Sequence, residues 1–117
     1  MISGFISETA PLTDYERNEL LPVVVAGLRN KVGREKAVTS GYICSRLRAA
    51  GYKVDGARLR KVINHIRLTG LVRRLIATSE GYYISNSREE LSQYIHSLQG
   101  REESIRSVRR ALEMQNV

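Results

Sequence analysis

Cysteine is almost absent from this chain of 117 residues, in which Cys44 is the single example. One thiol excludes an intramolecular disulfide and cannot by itself build a thiolate metal site. A chain of this length corresponds to about one domain, on a prior of roughly 100–200 residues each, and can bury one modest core without cross-links. A reducing compartment therefore suits the chain, and we expect Cys44 to lie on the core side of its helix.

Long apolar runs are also missing. The longest candidate covers residues 20–28, contains Pro22 and is flanked by charge, whereas a membrane-spanning helix needs about 20 apolar residues. Residues 1–12 lack the basic start and the apolar run of a signal peptide. These absences predict a soluble protein of the cytoplasm, associated with the nucleoid if the source is bacterial.

Acidic residues are scarce in the middle of the chain. Residues 34–78 carry eleven Lys or Arg against two Asp or Glu, a net charge of +9, whereas the whole chain carries +7. Residues 1–33 and residues 79–117 each have a net charge of −1. Such a concentrated basic block is typical of a nucleic-acid-binding protein. The alternative, a basic surface that is merely solvated, stays open at this point.

The first helix is predicted to begin at a capping box. Residues 1–12 are interpreted as an irregular arm, after which Thr13 offers a hydroxyl cap and Glu16 a carboxylate three residues later. Pro22 lacks an N–H and disfavours helical angles at Leu21, so the helix should either kink near Leu21 or restart there. The spacing of the following apolar residues predicts a buried stripe. Its members are Leu21, Val24, Val25, Leu28 and Val32.

Two helices, a hairpin and a long helix follow. Residues 37–39 suggest a brief strand, and the helices are predicted over 40–50 and 56–69, joined by a turn at 51–54. Their caps are Thr39 or Ser40 and then Asp55, and the glycines Gly51 and Gly70 end them. Strands are expected at 75–78 and 82–85, with Gly81 supplying a positive φ. Ser87 and Glu90 form a second capping box that opens a helix to about Gln115. The predicted fold is mainly α with a small β-hairpin and a long C-terminal helix.

This order of elements over residues 39–85 resembles a winged helix-turn-helix domain, and with the preceding helix the resemblance covers residues 14–85. It is similar in particular to small domains encoded by bacteriophages and other mobile elements. The family implies binding of double-stranded DNA, with helix 56–69 in the major groove and the hairpin near the DNA backbone. One departure is that the hairpin tip carries Glu80 in place of Lys or Arg. The expected organisation is an arm at 1–12, a DNA-binding domain at 13–86 and a separate helix at 87–117.

Helix 56–69 is amphipathic in a way that suits the DNA major groove. Four apolar residues share its core face: Leu59, Val62, Ile63 and Ile66. The opposite face carries Ala57, Lys61, Asn64 and Leu68. Because Arg and Lys recognise guanine and Asn recognises adenine, we expect the bases to be contacted by Arg58, Arg60, Lys61 and Asn64.

The remaining basic and hydroxyl residues around this helix are predicted to contact phosphates. Phosphate contacts set affinity and register without selecting a sequence, and the N-terminus of the helix at 40–50 favours an anion. The expected backbone contacts are Arg34, Lys36, Thr39, Ser40, Arg46, Arg48, Lys53, His65, Arg73 and Arg74.

The C-terminal helix carries a partial heptad repeat. Its first heptad position is apolar at every repeat. The second apolar position is filled by Tyr94 and Val108, but Arg101 and Gln115 occupy it in the other two repeats. Two alternatives stay open: the helix pairs with that of a second copy, or it folds back on its own domain. The expected residues of a homodimer interface are Leu91, Leu98, Ile105, Val108 and Leu112.

Nothing in the sequence predicts an enzyme. His65 and His96 lie on separate helices, and no nucleophile, base and orienting residue occur as a set. There is no phosphate-binding glycine loop or zinc-protease motif, so we expect no cofactor, no metal and no small-molecule ligand. The expected function is sequence-specific or general DNA binding, in a regulator or replication accessory of a phage or mobile element. The alternative is a protein-interaction module that uses the same scaffold and the C-terminal helix; RNA binding is less favoured.

Overall fold

A computed structural model of the chain describes residues 10–116. It divides into two compact units, one ending at Asn86 and the other beginning at Ser87. The helices are α1 (Leu21–Leu28), α2 (Ser40–Ala49), α3 (Gly56–Thr69) and α4 (Arg88–Gln115), and the strands are β1 (Leu75–Thr78) and β2 (Gly81–Ile84). The second unit consists of α4. The predicted fold class, mainly α with a small hairpin and a long C-terminal helix, is confirmed.

Helical structure begins at the capping box, as predicted. The Thr13 hydroxyl accepts a hydrogen bond from the Glu16 amide at 3.2 Å, and the Glu16 carboxylate accepts one from the Thr13 amide at 2.9 Å. A π-helical segment, Glu16–Leu20, then leads directly into α1. Leu21 keeps helical angles, and its amide donates to the Glu16 carbonyl, so the expected departure from helical angles at Leu21 is wrong. The wider π turn accommodates Pro22, which has no N–H to donate.

The caps of α2 and α3 are those the sequence predicts. The Thr39 hydroxyl accepts from the Tyr42 amide at 3.1 Å, and the Asp55 carboxylate accepts from the Arg58 amide at 2.8 Å. Gly70 follows α3 with a φ of 74°, a left-handed conformation that ends a helix without the steric cost of a Cβ atom. These caps fix where α3 begins and ends.

The hairpin is extended by two single bridges from the segment before α2, in which Val32 pairs with Ile84 and Val38 pairs with Tyr82. Strands β1 and β2 are antiparallel, and Thr78 pairs with Gly81 across the turn. Val38 exchanges two backbone hydrogen bonds with Tyr82, at 3.0 and 2.8 Å, so the expected strand at 37–39 is reduced to a single bridge. Gly81 has a φ of 121°, and a Cβ atom there would overlap the Val38 carbonyl. Glycine is therefore required where the loop meets the hairpin.

The core of the first unit lies beneath α3. Its four predicted apolar residues are all buried, with at most 2% of their surface exposed. Leu20, Leu28, Cys44 and Tyr83 are also buried, which confirms the core position expected of Cys44. The predicted stripe of the first helix is wrong at its end, because Val32 is 42% exposed. Among the residues that the structure describes, no helix is long and apolar enough to cross a bilayer.

Candidate nucleic-acid interface

The outward side of α3 carries a mixture of basic, amide and apolar side chains. Arg60 is exposed, and Asn64, His65 and Arg67 are half-buried. Leu68, which the helical pattern places opposite the core, is 78% exposed. The helix has 14 residues, and an α-helix is narrow enough to enter the major groove of DNA.

Lys61 does not lie on that outward side, and the expectation that it does is wrong. The residue is only 8% exposed, and its ammonium nitrogen lies 2.8 Å from a carboxylate oxygen of Glu16. The segment around Glu16 covers this flank of α3, so the outward face is rotated away from Lys61 and towards Arg60. An ammonium group buried in an ion pair cannot reach a base, and Lys61 is therefore withdrawn from the base-contacting set.

Arg58 is held against the protein by three contacts. Its Nε donates to the other carboxylate oxygen of Glu16 at 3.0 Å, and its Nη1 donates to the Lys53 carbonyl at 3.2 Å. Its guanidinium also lies 5.3 Å from the centre of the Tyr15 ring, within the range of a cation–π interaction. The side chain is 36% exposed. In this conformation Arg58 connects three segments of the fold and does not extend from α3 as the expected base contact would.

The Glu16 carboxylate is ionised in this environment. Burial alone would raise the pKa of Glu16, but the hydrogen bonds from Lys61 and Thr13, the charge of Lys61 and the hydrogen bond from Arg58 together hold it below its ordinary value of 4.5. A buried carboxylate is costly unless it is paired and hydrogen-bonded. Here the pairing is complete enough that the charged form is the favoured one.

The N-terminus of α2 borders the hairpin across a cleft of about 210 Å³. Five of the seven residues that line this cleft carry a hydroxyl group: Thr39, Ser40, Thr78, Ser79 and Tyr82. The first amides of a helix have no intrahelical acceptor and attract anions. Two predicted phosphate contacts, Thr39 and Ser40, are thus brought beside the hairpin, although the Thr39 hydroxyl already accepts the Tyr42 amide.

The hairpin tip and the loop before α2 are joined by an ion pair. Arg34 and Glu80 lie 3.5 Å apart, and both side chains are at least half exposed. The negative charge of Glu80 at the hairpin tip is therefore partly neutralised by a residue of the same surface. Lys36, two residues beyond Arg34, is exposed.

The other predicted phosphate contacts differ in how they are held. Arg46 is exposed and lies 5.9 Å from the Tyr42 ring, whereas Arg48 donates to the Val54 carbonyl at 2.8 Å. Lys53 lies exposed in the connection between α2 and α3.

Arg73 and Arg74 are exposed in the turn before β1. Arg74 has a φ of 60°, a left-handed conformation that is uncommon for a residue other than glycine. Its carbonyl accepts the Ser85 amide at 2.9 Å, and this hydrogen bond ties the turn to the end of the hairpin.

The heptad positions of α4 form an exposed apolar line. None of the described residues of α4 is buried. Leu91 is half-buried, and the exposed fractions at Leu98, Ile105, Val108 and Leu112 are 38%, 70%, 60% and 58%. The line is broken by Arg101, which lies between Leu98 and Ile105 on the same side of the helix.

Two features of the first unit were not foreseen from the sequence. One is the network of Tyr15, Glu16, Arg58 and Lys61, because the capping-box pattern explains Glu16 without any distant partner. The other is an apolar groove of about 350 Å³ between α1 and α2, lined in part by Val23, Gly27, Ile43 and Tyr52. The sequence signal for this groove was limited to apolar residues such as Val23 and Ile43 on two consecutive helices.

Comparison of the chain with models of protein families, with curated proteins and with solved structures gives no match. Within residues 10–116, no three side chains of His, Cys, Asp or Glu are grouped so that they could hold a metal ion. The function must therefore be argued from the arrangement of this chain's own residues.

Proposed function

We propose that the first unit is a winged helix-turn-helix domain that binds double-stranded DNA through α3. The observation that carries this proposal is the position of Arg60 and Asn64 on the outward side of a helix whose opposite side is fully buried. The helix lies in the segment 34–78, which has a net charge of +9. A positive field of this kind attracts DNA, and an amphipathic helix can then enter the groove.

Arg60 and Asn64 are the residues we assign to base contact. They are four positions apart, so they lie on one side of the helix about one turn from each other. Arginine can donate two hydrogen bonds to guanine, and asparagine can donate and accept with adenine. The N-terminus of α2 and the exposed cations Lys36, Arg46, Arg73 and Arg74 then supply phosphate contacts, which position the domain. Regulation of transcription and assistance in replication both use such a module.

The experiment is fluorescence-anisotropy binding to a random-sequence 20-base-pair duplex at about 50 and 200 mM salt. If four phosphates are contacted, affinity should fall about 100-fold over this range. Arg60→Ala/Asn64→Ala should weaken binding at the lower salt. The matched control is Gln99→Ala/Arg110→Ala, which removes the same chemical groups from α4 and should leave affinity within twofold. Failure of the wild type to bind at 50 mM contradicts the proposal.

A second candidate function, protein interaction, is favoured by the exposed apolar line on α4. We propose that this line pairs with the same line of a second copy, because its apolar positions recur with the heptad spacing of a two-stranded coiled coil. Pairing would place two DNA-binding units in one particle, as in proteins that bind two half-sites. A sedimentation mass of one chain at tens of micromolar contradicts pairing; a mass of one chain together with salt-insensitive binding of another protein would favour a different partner.

A further inference from the structure

We propose that Glu16 is a positioning residue, which fixes the rotation of α3 about its own axis and so determines which side chains α3 presents. This inference rests on the proposed DNA-binding function of α3 for its biological meaning. Its physical basis is independent of DNA, because it concerns contacts within the first unit.

The first observation is the number and origin of the donors around one carboxylate. Glu16 is 3% exposed, and it accepts from the Thr13 amide at 2.9 Å, from Arg58 Nε at 3.0 Å and from the Lys61 ammonium at 2.8 Å. Arg58 and Lys61 come from α3, more than forty positions away in the sequence. They are successive members of one flank of the helix, so the carboxylate contacts α3 at two points along its axis.

The second observation concerns the connection between α2 and α3, which contains no regular structure from residue 52 to residue 55. The Tyr15 hydroxyl accepts the Lys53 amide at 2.7 Å, and Arg58 donates to the Lys53 carbonyl at 3.2 Å. Both backbone polar groups of Lys53 are thus satisfied by side chains of the same network. The neighbour of Glu16 therefore holds the segment that leads into α3, while Glu16 holds the helix itself.

Apolar packing alone does not fix the rotation of a helix as sharply as these contacts do. Burial of Leu59, Val62 and Ile66 is favourable in proportion to the area removed from water and has no direction. Charged hydrogen bonds are short and directional. Because Lys61 is adjacent to Arg60 and three positions from Asn64, a carboxylate that holds Lys61 in place also sets the direction in which Arg60 and Asn64 point.

The test compares Glu16→Gln with Glu19→Gln, a control that removes an exposed carboxylate from the same helical turn. Two measurements are made at a temperature where each variant is fully folded by circular dichroism: amide hydrogen exchange without DNA, and anisotropy binding to the random-sequence duplex at 50 mM salt. Glu16→Gln should raise exchange selectively at residues 53–61 and weaken DNA binding at least tenfold. Glu19→Gln should change neither.

A second variant keeps the proposal testable if Glu16→Gln does not fold. Tyr15→Phe retains the ring and removes only the hydroxyl, so it should raise exchange at Lys53 and weaken binding about threefold. The positioning role is overturned if amide exchange at residues 53–61 in a folded Glu16→Gln variant matches the wild type. It is also overturned if that variant binds DNA within twofold of the wild type. If the wild type itself does not bind DNA, the proposed function has failed, and the exchange measurement alone decides whether Glu16 fixes α3.

Discussion

The ammonium group of Lys61 lies 2.8 Å from the carboxylate of Glu16, and the two side chains are 10% and 4% exposed. This buried ion pair joins the first helical turn of the domain to the middle of α3. It changes the interpretation of α3, because a lysine that the helical pattern places on the outward face belongs to the interior. The outward face of α3 is therefore displaced away from Lys61 and towards Arg60.

Removal of one partner of this pair should be strongly destabilising. Lys61→Met leaves the Glu16 carboxylate buried with fewer donors, and breaking a buried pair in this way costs about 3 kcal/mol or more. The measurement is the free energy of unfolding by urea. Lys36→Met is the control, because Lys36 is exposed and substitutions on an open surface stay within about 0.5 kcal/mol. Equal stabilities of the two variants would contradict the buried ion pair.

The contribution of Glu16 should depend on pH in a defined direction. Its pKa in the folded protein is held below the ordinary value of 4.5, so the unfolded chain binds its proton more readily. The stabilisation is therefore complete above pH 4.5 and is lost as pH falls through the folded-state pKa. The difference in unfolding free energy between the wild type and Glu16→Gln should be largest near pH 7 and should shrink below pH 4.5. A difference that grows on acidification would be opposite to this account.

Gly81 should not tolerate a side chain. Gly81→Ala would place a Cβ atom on the Val38 carbonyl at a φ of 121°, so we expect destabilisation of at least about 2 kcal/mol. Gly27→Ala is the matched control: no atom lies within 4 Å of its Cβ position, and alanine favours an α-helix by up to about 1 kcal/mol. Thermal unfolding of both variants measures these changes in stability. A Gly81→Ala variant as stable as the wild type would contradict the close approach of the hairpin to the Val38 carbonyl.

The pairing proposed for α4 should be abolished by one charge in the apolar line. Ile105 is 70% exposed, so Ile105→Asp should leave the fold unchanged while placing a carboxylate against the second copy. Ser107→Asp adds the same charge to the opposite side of the helix and should leave the dimer intact. Sedimentation equilibrium measures the molecular mass of each variant. Loss of pairing in both variants would show that the added charge disrupts the dimer wherever it lies on α4, which would contradict pairing through the apolar line.

Most of the fold could be predicted because its signals are local. The hydroxyl and carboxylate caps at Thr39 and Asp55, and the left-handed glycine Gly70, act within a few residues of where they stand. The core face of α3 follows from its periodicity alone. An α-helix does restart at Leu21, one of the two predicted alternatives, but the angles of Leu21 were misjudged since the effect of Pro22 depends on whether the preceding turn can widen.

The candidate site was predicted less well, for a physical reason. The pattern of α3 describes one helix in isolation, and it cannot include a carboxylate more than forty positions away in the sequence. Lys61 and Arg58 were therefore assigned to base contact although they contact Glu16. Arg60 and Asn64 remain assigned to base contact on the basis of their position on α3.

The most direct test of the central claim is a titration of the isotope-labelled chain with a 20-base-pair duplex, followed through its amide resonances. The account predicts that the largest shifts fall on Arg60 and Asn64 of α3, and on Thr39 and Ser40 at the start of α2. Shifts confined to residues 95–116, or no shifts at 50 mM salt, would contradict it.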